Sequence, residues 1–548
     1  MFGKKTLRFG YLVAACLFVA VTAWASDNDA SRTIDAMVEM RDGVHLATSI
    51  YLPEGDGPWP VILTRTPYNK AGYGQRSGQY TDHEFVFVVQ DCRGRFLSEG
   101  DYVPFTTDME DGYDTVEWIA EQDFSDGKVG MTGASAMGIT SNLAAVANPP
   151  HLVAAYVIVA PQSLFSESRF MGGVFKEAHA GGWMRSQGVP EQVTEMKKRV
   201  LMDDEWKRTD LVHHLPNIDI PMYNVAGWYD IFVEGGLKNF MYLQNEGKEG
   251  ARGNQKIMVG PFGHGQISGD LSYPENGGGL RGNGDEVIRW FDYWLKGIDN
   301  GIMDEPPVKY YMMAHAKKED ASNKNTWMEA DSWPPESTAT KFYLHEGLEI
   351  STTPPESDQS SSALTANPAD PVPTYGGQNL RLEKGPMDQR PIGERTDYLR
   401  FETPKLKDDV VIAGKVDMEL FASTDGFDTD FMVKLVDVYP DGYEAIVLDC
   451  PLRTRYREGR TREDVKMMSP RRPEKLAIDL WSTAITFEKG HRIAVHISSS
   501  NYPRFEVNPN TGDPPGALIQ PPRIAHNQIH HDVEHPTAIV LPIVDAGE

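Results

Sequence analysis

The sequence predicts an α/β protein: a mostly parallel sheet flanked by helices, interrupted once by a helical insertion and followed by an all-β domain. Three observations carry this. Between residues 33 and 161, short apolar runs alternate with helical patterns, as expected for strands joined by crossover helices. From 162 to 217 the alternation breaks into mixed helical stretches with clustered aromatics, and it resumes from 218 to 332. From 333 to 548 no helical period persists, and short β-rich runs are separated by Pro, Gly, Asp and Ser turns. A chain of 548 residues is too long for one compact domain, and its 40% hydrophobic and 10% aromatic content can bury the cores required.

Residues 1–25 read as a signal peptide. Lys4, Lys5 and Arg8 precede an apolar run over 11–21, and Ala23-Trp24-Ala25 offers a small-x-small cleavage site. Cleavage after Ala25 would export the protein to the periplasm or the medium. The alternative is a lipoprotein anchored at Cys16, because Val13-Ala14-Ala15-Cys16 resembles a lipobox, although the apolar run continues past it. No other segment is apolar enough to span a bilayer. Cleavage leaves Cys92 and Cys450, which fall in different domains; an oxidising compartment permits a disulfide and nothing requires one. The formal charge of -26, more negative still without the leader, argues against nucleic-acid and anionic-membrane partners. There is no CxxC pair or HExxH, so no metal or other cofactor is expected.

The elements follow in order. Two strands joined at Arg41-Asp42-Gly43 cover 36–52; VILT (61–64) and FVFVVQ (85–90) have the density of strands buried on both faces. A helix over 108–122 sets Tyr113, Val116 and Ala120 at helical spacing, a strand covers KVGMTG (128–133), and a helix ITSNLAAVAN follows Gly138. After the strand 151–161 comes the insertion, with its basic run Lys197-Lys198-Arg199. The sheet resumes with IPMYNVAGWYD (220–230) and KIMVGPFGHG (256–265), then an amphipathic helix with Val287, Phe291, Trp294 and Leu295 on one face and Gly297 at its end. In the β-rich part a hairpin turns at Tyr439-Pro440-Asp441-Gly442, and the pattern suits a sandwich or jelly roll.

The chemistry centres on GASAMG (133–138). Ser135 lies where a buried strand turns into a helix, at the sheet edge where ligand sites concentrate. The serine-hydrolase elbow G-x-S-x-G fails here, because Met137 holds the second glycine's place and Gly138 comes one residue late. Ser135 is therefore either a nucleophile among small neighbours or a serine capping a helix. A nucleophile needs a base, an orienting carboxylate and oxyanion donors, and in α/β-hydrolases the order is Ser, then Asp or Glu, then His. Asp230 and His264 supply that order at two further strand ends. Taken singly, Asp230 suits a helix cap and His264 an exposed turn.

Several ordered blocks resemble the CocE/NonD-type acyl hydrolases, relatives of the Xaa-Pro dipeptidyl-peptidases and α-amino-acid ester hydrolases. They include RTPYNK (65–70), QDCRGRFLSEG (90–100), DGYDTVEWIAEQDFSDGKVGMTGAS (111–135), GWYDIFVEG, GPFGHG, RWFDYWLKGIDNG and SSSNYPRFEVNPNTG, and cover nearly the whole chain after the leader. The resemblance implies an α/β-hydrolase domain (33–161 and 218–332), an inserted helical cap (162–217) that lines the pocket, and a C-terminal jelly-roll β-sandwich (333–548). It implies Ser135 as nucleophile, His264 as base and Asp230 as its orienting acid. The backbone N–H of Ala136 and the hydroxyl of Tyr68 would form the oxyanion hole. On residue type alone Tyr68 reads as packing; only the motif makes it a donor. The family elbow G-x-S-Y-x-G has its glycine where Gly138 stands, and this chain departs from it with Ala136 in place of Tyr.

The amino-acid ester hydrolases carry acidic residues two and three positions after their triad aspartate. Phe232 and Val233 occupy those positions here, with Glu234 next, which leans away from substrates bearing a free α-amino group. HNQIHHDVEHP (526–536) reads as a structural lead-in to a strand rather than a metal cluster, and Asp91, Arg93 and Ser98 as an ion-paired loop bracing the site. The expectation is an exported serine hydrolase acting on a small ester or amide, with homodimerisation left open. Its alternatives are an Xaa-Pro dipeptidyl-peptidase or amide acylase, and a non-catalytic binding protein built on the jelly roll.

Overall fold

The computed structural model describes residues 32–274 and 284–544. The leader, in both its cleaved and lipid-anchored readings, falls on residues 1–31 and lies outside them. The first sheet is built from β1 (Thr33–Glu39), β2 (His45–Tyr51), β3 (Trp59–Thr66), β4 (Val86–Asp91), β5 (Ser125–Ala134), β6 (Leu152–Ile158), β9 (Met222–Tyr229), β10 (Lys256–Gly263), β11 (Val308–Met312) and β12 (Thr326–Ala330). Its order is β1-β2-β4-β3-β5-β6-β9-β10-β11-β12, and neighbours from β4 through β11 run parallel. Antiparallel hairpin partners close both ends.

The parallel strands are apolar throughout because both faces are covered. Along β3, Val61 and Leu63 enter one core with Val116, Ile119, Ile139 and Leu143, whereas Ile62 enters another with Phe85, Phe87, Trp290 and Phe291. The first core lies under α2 (Asp108–Ala120) and α3 (Ala136–Ala147); the second lies under the helix Gly284–Lys296. The helix expected after Gly138 starts at Ala136, because the backbone of Ser135 completes the turn within a single residue.

The insertion between β6 and β9 is mostly helical, with wide turns at Leu164–Arg169 and Glu177–Gly181 and helices at Gly182–Ser186, Glu191–Lys198 and Asp204–Thr209. It also holds a ribbon, β7 (Phe170–Met171) and β8 (Val174–Phe175), too short to show any alternation in sequence. Phe165, Phe170, Trp183 and Trp206 join the core that holds Ala136 and Ile139, so the insertion sits directly on the helix that follows Ser135.

Thr338 to Ile543 supply an eleven-stranded sheet that curls into a jelly-roll-like β-sandwich, with the hairpin at 439–442 between Asp430–Val438 and Glu444–Arg453. One hydrophobic cluster runs through both parts, joining Trp228, Tyr229 and Tyr310 of the first sheet to Leu420, Ile478 and Trp481 of the second.

Arg65 pins α2 to the sheet. Its side chain is fully buried, with Nε donating to Gln90 Oε1 at 2.8 Å, Nη1 to Asp108 Oδ1 at 2.8 Å, and Nη2 lying 3.6 Å from Asp111 Oδ2. Asp108 and Asp111 stand in the first turn of α2, where the helix dipole also favours negative charge. Arg65→Ala would leave these carboxylates buried with part of their partnership gone, and we expect a loss of about 3–5 kcal/mol in urea unfolding. Arg65→Lys should recover only part of that, because one ammonium cannot reach three acceptors in a plane.

Candidate active site

The backbone of Ser135 adopts φ 61 and ψ -122, a conformation that costs a non-glycine residue on the order of 1–3 kcal/mol. It is held by the Ser135 N–H, which donates to the Ile158 carbonyl at 2.9 Å, and by small neighbours. A Cβ on Gly133 would sit 2.5 Å from Met137 Cβ and 2.6 Å from the Met137 backbone. One on Gly138 would sit 2.9 Å from Ala160 Cβ. The late glycine thus serves close packing of α3 against the chain leaving β6, and Met137 is free to occupy the usual glycine position.

Asp230 and His264 follow the C-terminal ends of β9 and β10, the next two strands in the sheet beyond the β6 strand that braces Ser135. His264 Nε2 lies 2.8 Å from Ser135 Oγ, and His264 Nδ1 lies 2.6 Å from Asp230 Oδ2. The carboxylate fixes the tautomer: Nδ1–H donates to Asp230, which leaves Nε2 to accept from the serine hydroxyl. Asp230 is fully buried, and its Oδ1 accepts the Phe232 N–H at 2.7 Å. Phe232 also sets its ring edge against His264, 5.9 Å between centroids.

Of the expected oxyanion donors, Ala136 lines the cavity with Ser135, and Tyr68 adjoins that wall through Trp183. Ala136 is the first residue of α3, so its N–H has no acceptor within the helix. Tyr68 makes no hydrogen bond to Ser135; its hydroxyl accepts from the Trp183 indole Nε1 at 2.9 Å, and Trp183 lines the cavity beside Ser135. Indole only donates, so the phenolic proton remains available for a second partner. Burial keeps the Tyr68 pKa above its ordinary value, and the proton stays on at neutral pH.

Asp91 holds the Tyr68 loop by its backbone: Oδ1 accepts the Lys70 N–H at 2.7 Å. Ser98 Oγ donates to the Asp91 carbonyl at 2.7 Å. The ion-paired reading of this loop therefore applies to Arg93 alone, which bridges Asp42 and Asp111 at 2.8 and 2.6 Å.

The cavity at Ser135 is small, about 20 Å3, room for little more than one water. Its walls include Phe105, Ile139, Trp183, Phe232 and Leu380, with Arg169 and His179 on the polar side. Larger hollows, of about 650 Å3 beside β2 and 420 Å3 beside Arg453, contain none of the sequence-predicted site residues. Trp183, Arg169 and His179 come from the insertion, whose clustered aromatics gave a general signal but no positions. Leu380 comes from the C-terminal part, and nothing in its local sequence points to the site. Glu234 does not line the cavity; its Oε2 accepts the Ser482 N–H at 3.0 Å. Of the histidine-rich stretch, His530 bonds Ser423, His531 bonds Ser360 and Ser362, and His535 bonds Asp532. Cys92 and Cys450 are both buried and free.

Comparison with known proteins gives a consistent picture. Residues 42–199 and 185–266 match the family model of the X-Pro dipeptidyl-peptidase (S15 family), and residues 300–540 match that of the X-Pro dipeptidyl-peptidase C-terminal non-catalytic domain. The chain is 33% identical to the cocaine esterase of Rhodococcus sp. (strain MB1 Bresler), over 94% of this chain and 99% of that one. Among solved structures, an α-amino acid ester hydrolase superposes with a TM-score of 0.80 at 25% identity, covering 97% of this chain and 100% of that one. An aminopeptidase from a marine-sediment Thaumarchaeota archaeon gives 0.80 at 26% identity, covering 94% and 96%.

The elbow geometry makes its own prediction. Gly133→Val would drive a branched side chain into the Met137 backbone, and we expect a destabilisation above about 3 kcal/mol in urea unfolding. A change near zero would mean that the turn does not need its small neighbours.

Proposed function

Because the chain belongs to the CocE/NonD-type acyl hydrolases of the X-Pro dipeptidyl-peptidase S15 family, and is therefore a serine hydrolase, we propose that Ser135, His264 and Asp230 are its catalytic triad and that it cleaves a small ester. The observation that carries this is the hydrogen-bonded chain from Ser135 Oγ through His264 to Asp230, 2.8 and 2.6 Å, set at a strained turn that exposes the hydroxyl to a cavity.

In this mechanism Ser135 Oγ attacks the carbonyl carbon as its proton passes to His264 Nε2. The negative charge that develops on the carbonyl oxygen is met by the Ala136 N–H and the Tyr68 hydroxyl. Asp230 keeps the imidazole in register and stabilises the imidazolium. Nε2 then protonates the leaving alcohol, and the acyl group stays on Ser135. A water, deprotonated by the same nitrogen, attacks the acyl-enzyme; the acid leaves and the serine regains its proton.

Ester hydrolysis is favoured over removal of an N-terminal dipeptide by the cavity lining, which among the described residues holds no carboxylate. A substrate with a free α-ammonium needs a carboxylate, and the carboxylate closest in sequence to the triad acid, Glu234, is committed to Ser482 and Lys238. Export rests on the leader sequence, and the intact mass of the secreted protein would test cleavage after Ala25.

Ser135→Ala should abolish covalent labelling by a fluorophosphonate and lower kcat for a p-nitrophenyl ester by about 10⁶. If the wild type takes no label and leaves the ester intact, the triad assignment fails. Asp230→Asn should cost about 10⁴ in kcat through loss of the productive tautomer. Tyr68→Phe should cost about 10²–10³ in kcat with little change in KM, as expected of a donor that acts in the transition state. Gly-Pro-p-nitroanilide should be a much poorer substrate than the ester; the reverse preference would make the protein a dipeptidyl-peptidase.

A further inference from the structure

Among the described residues, Arg169 is the one cation in the wall of the Ser135 cavity. Its residue is only 4% exposed, and it enters no ion pair with a carboxylate among the described residues. The guanidinium gives one bond, Nη1 to Ser168 Oγ at 2.6 Å, and lies 5.8 Å from the centre of the Trp183 ring. Buried charges are ordinarily paired, so an unpaired one beside a nucleophile marks a vacancy for an anion. Burial lowers its pKa to about 10, which leaves it charged at neutral pH.

Three acids of the same insertion are engaged with other donors. Glu167 accepts the N–H groups of Gln162 and Ser163, Asp210 accepts from Ser163 Oγ and Leu164 N–H, and Glu177 pairs with Arg185 and Lys197.

A second unfilled group stands beside it. Ser168 Oγ, which accepts from Arg169, lies 3.4 Å from His179 Nε2. His179 is neutral, because burial holds its pKa well below the ordinary value. The buried Nδ1 of His179 has no hydrogen-bond partner among the described residues. The same wall thus offers guanidinium N–H groups and an unpaired imidazole nitrogen, and among the described residues no acid lines it.

The approach to the site has the same sign. Lys384 and Arg381 belong to the C-terminal segment that contributes Leu380 to the cavity, and neither is ion-paired among the described residues. The Lys384 side chain would be 2.7 Å from a Cβ on Gly263, next to His264, and that of Arg381 3.3 Å from one on Gly182, next to Trp183. In a protein of net charge -26, this is a local reversal of sign.

We propose that Arg169 receives a free carboxylate on the acyl side of the substrate, so that the enzyme acts on half-esters of short dicarboxylic acids. The assignment rests on the hydrolase reading above and adds the substrate class to it. Ser135 and Arg169 line the same cavity, which calls for a short chain between ester and carboxylate: the half-ester and water give the dicarboxylic acid and the alcohol through Ser135, with the distal carboxylate held by Arg169 throughout.

The test compares monoethyl succinate and monoethyl glutarate with ethyl 4-methylpentanoate and ethyl 5-methylhexanoate, in which an isopropyl group replaces the carboxylate at nearly constant shape. Alcohol release gives kcat/KM for each. The wild type should favour each monoanion by at least tenfold, and added salt should lower kcat/KM for the monoanions while leaving the neutral esters little changed. Arg169→Leu should lower the charged-to-neutral ratio on the order of 100-fold, and Arg169→Lys should fall between. A wild type that prefers the neutral esters, or an Arg169→Leu enzyme with an unmoved ratio, overturns the assignment while the hydrolase reading stands. If Arg169→Leu does not fold, the wild-type ratio and its salt dependence decide. Turnover of none of the four esters with Ser135 still labelled by fluorophosphonate also overturns it; loss of labelling as well would overturn the hydrolase reading beneath it.

Discussion

The rest of the architecture depends on one unfavourable backbone conformation, that of Ser135. Holding φ at 61 in a serine requires the surroundings to determine the turn from several sides. The Ile158 carbonyl of β6 takes its N–H, Gly133 and Gly138 allow α3 to close on the strand ends, and Ile139 and Leu143 anchor α3 in the core beneath. Once the turn is fixed, the hydroxyl projects from the sheet edge, and only residues at neighbouring strand ends can reach it. That is why His264 and Asp230, hydrogen-bonded in turn to Ser135, come from the ends of β10 and β9 and not from anywhere nearer in the sequence. The insertion then gives the site its roof, since Trp183 and Phe165 pack into the same core as Ala136.

The β-sandwich is part of the same construction. Trp228, two residues before the acid, shares a cluster with Trp333 and Trp481, and its carbonyl accepts from Gln378 Nε2 at 3.1 Å. The segment that follows Gln378 supplies Leu380 to the cavity wall and brings Arg381 and Lys384 beside it. The C-terminal domain therefore steadies the strand that leads to Asp230 and supplies Leu380 to the cavity wall. The family model that matches this domain is described as non-catalytic, and what the domain adds beside Ser135 is the apolar Leu380 in the cavity wall.

Much of this was legible in the sequence, for a physical reason. Parallel strands buried on both faces must be apolar, so VILT, FVFVVQ and KIMVGPFG announce themselves, and chemistry at strand ends follows at fixed offsets from such runs. Ser135, Asp230 and His264 could all be found in this way. Tyr68 could not: its loop has no periodicity, and only the RTPYNK motif drew attention to it. The insertion hid more. Its wide helical turns and its two-residue strands obey neither the 3.6 nor the 2.0 repeat, so Arg169, Ser168 and His179 carried no signal of facing the site. Leu380 was hidden by distance along the chain, because its role depends on how two domains pack.

Charge is where local and global readings part. A net charge of -26 describes the field far from the molecule, which limits partners and favours solubility. It says little about a buried wall, where the dielectric is low and the nearest few groups dominate. In the insertion, Glu167, Glu177 and Asp210 are each occupied by specific donors, and Arg169 has no carboxylate partner among the described residues. Keeping a cation buried without a partner is unfavourable in the empty protein and is relieved when an anion arrives. A site built this way discriminates by the difference between filling that vacancy and leaving it open, which is how a pocket with apolar walls can select for charge.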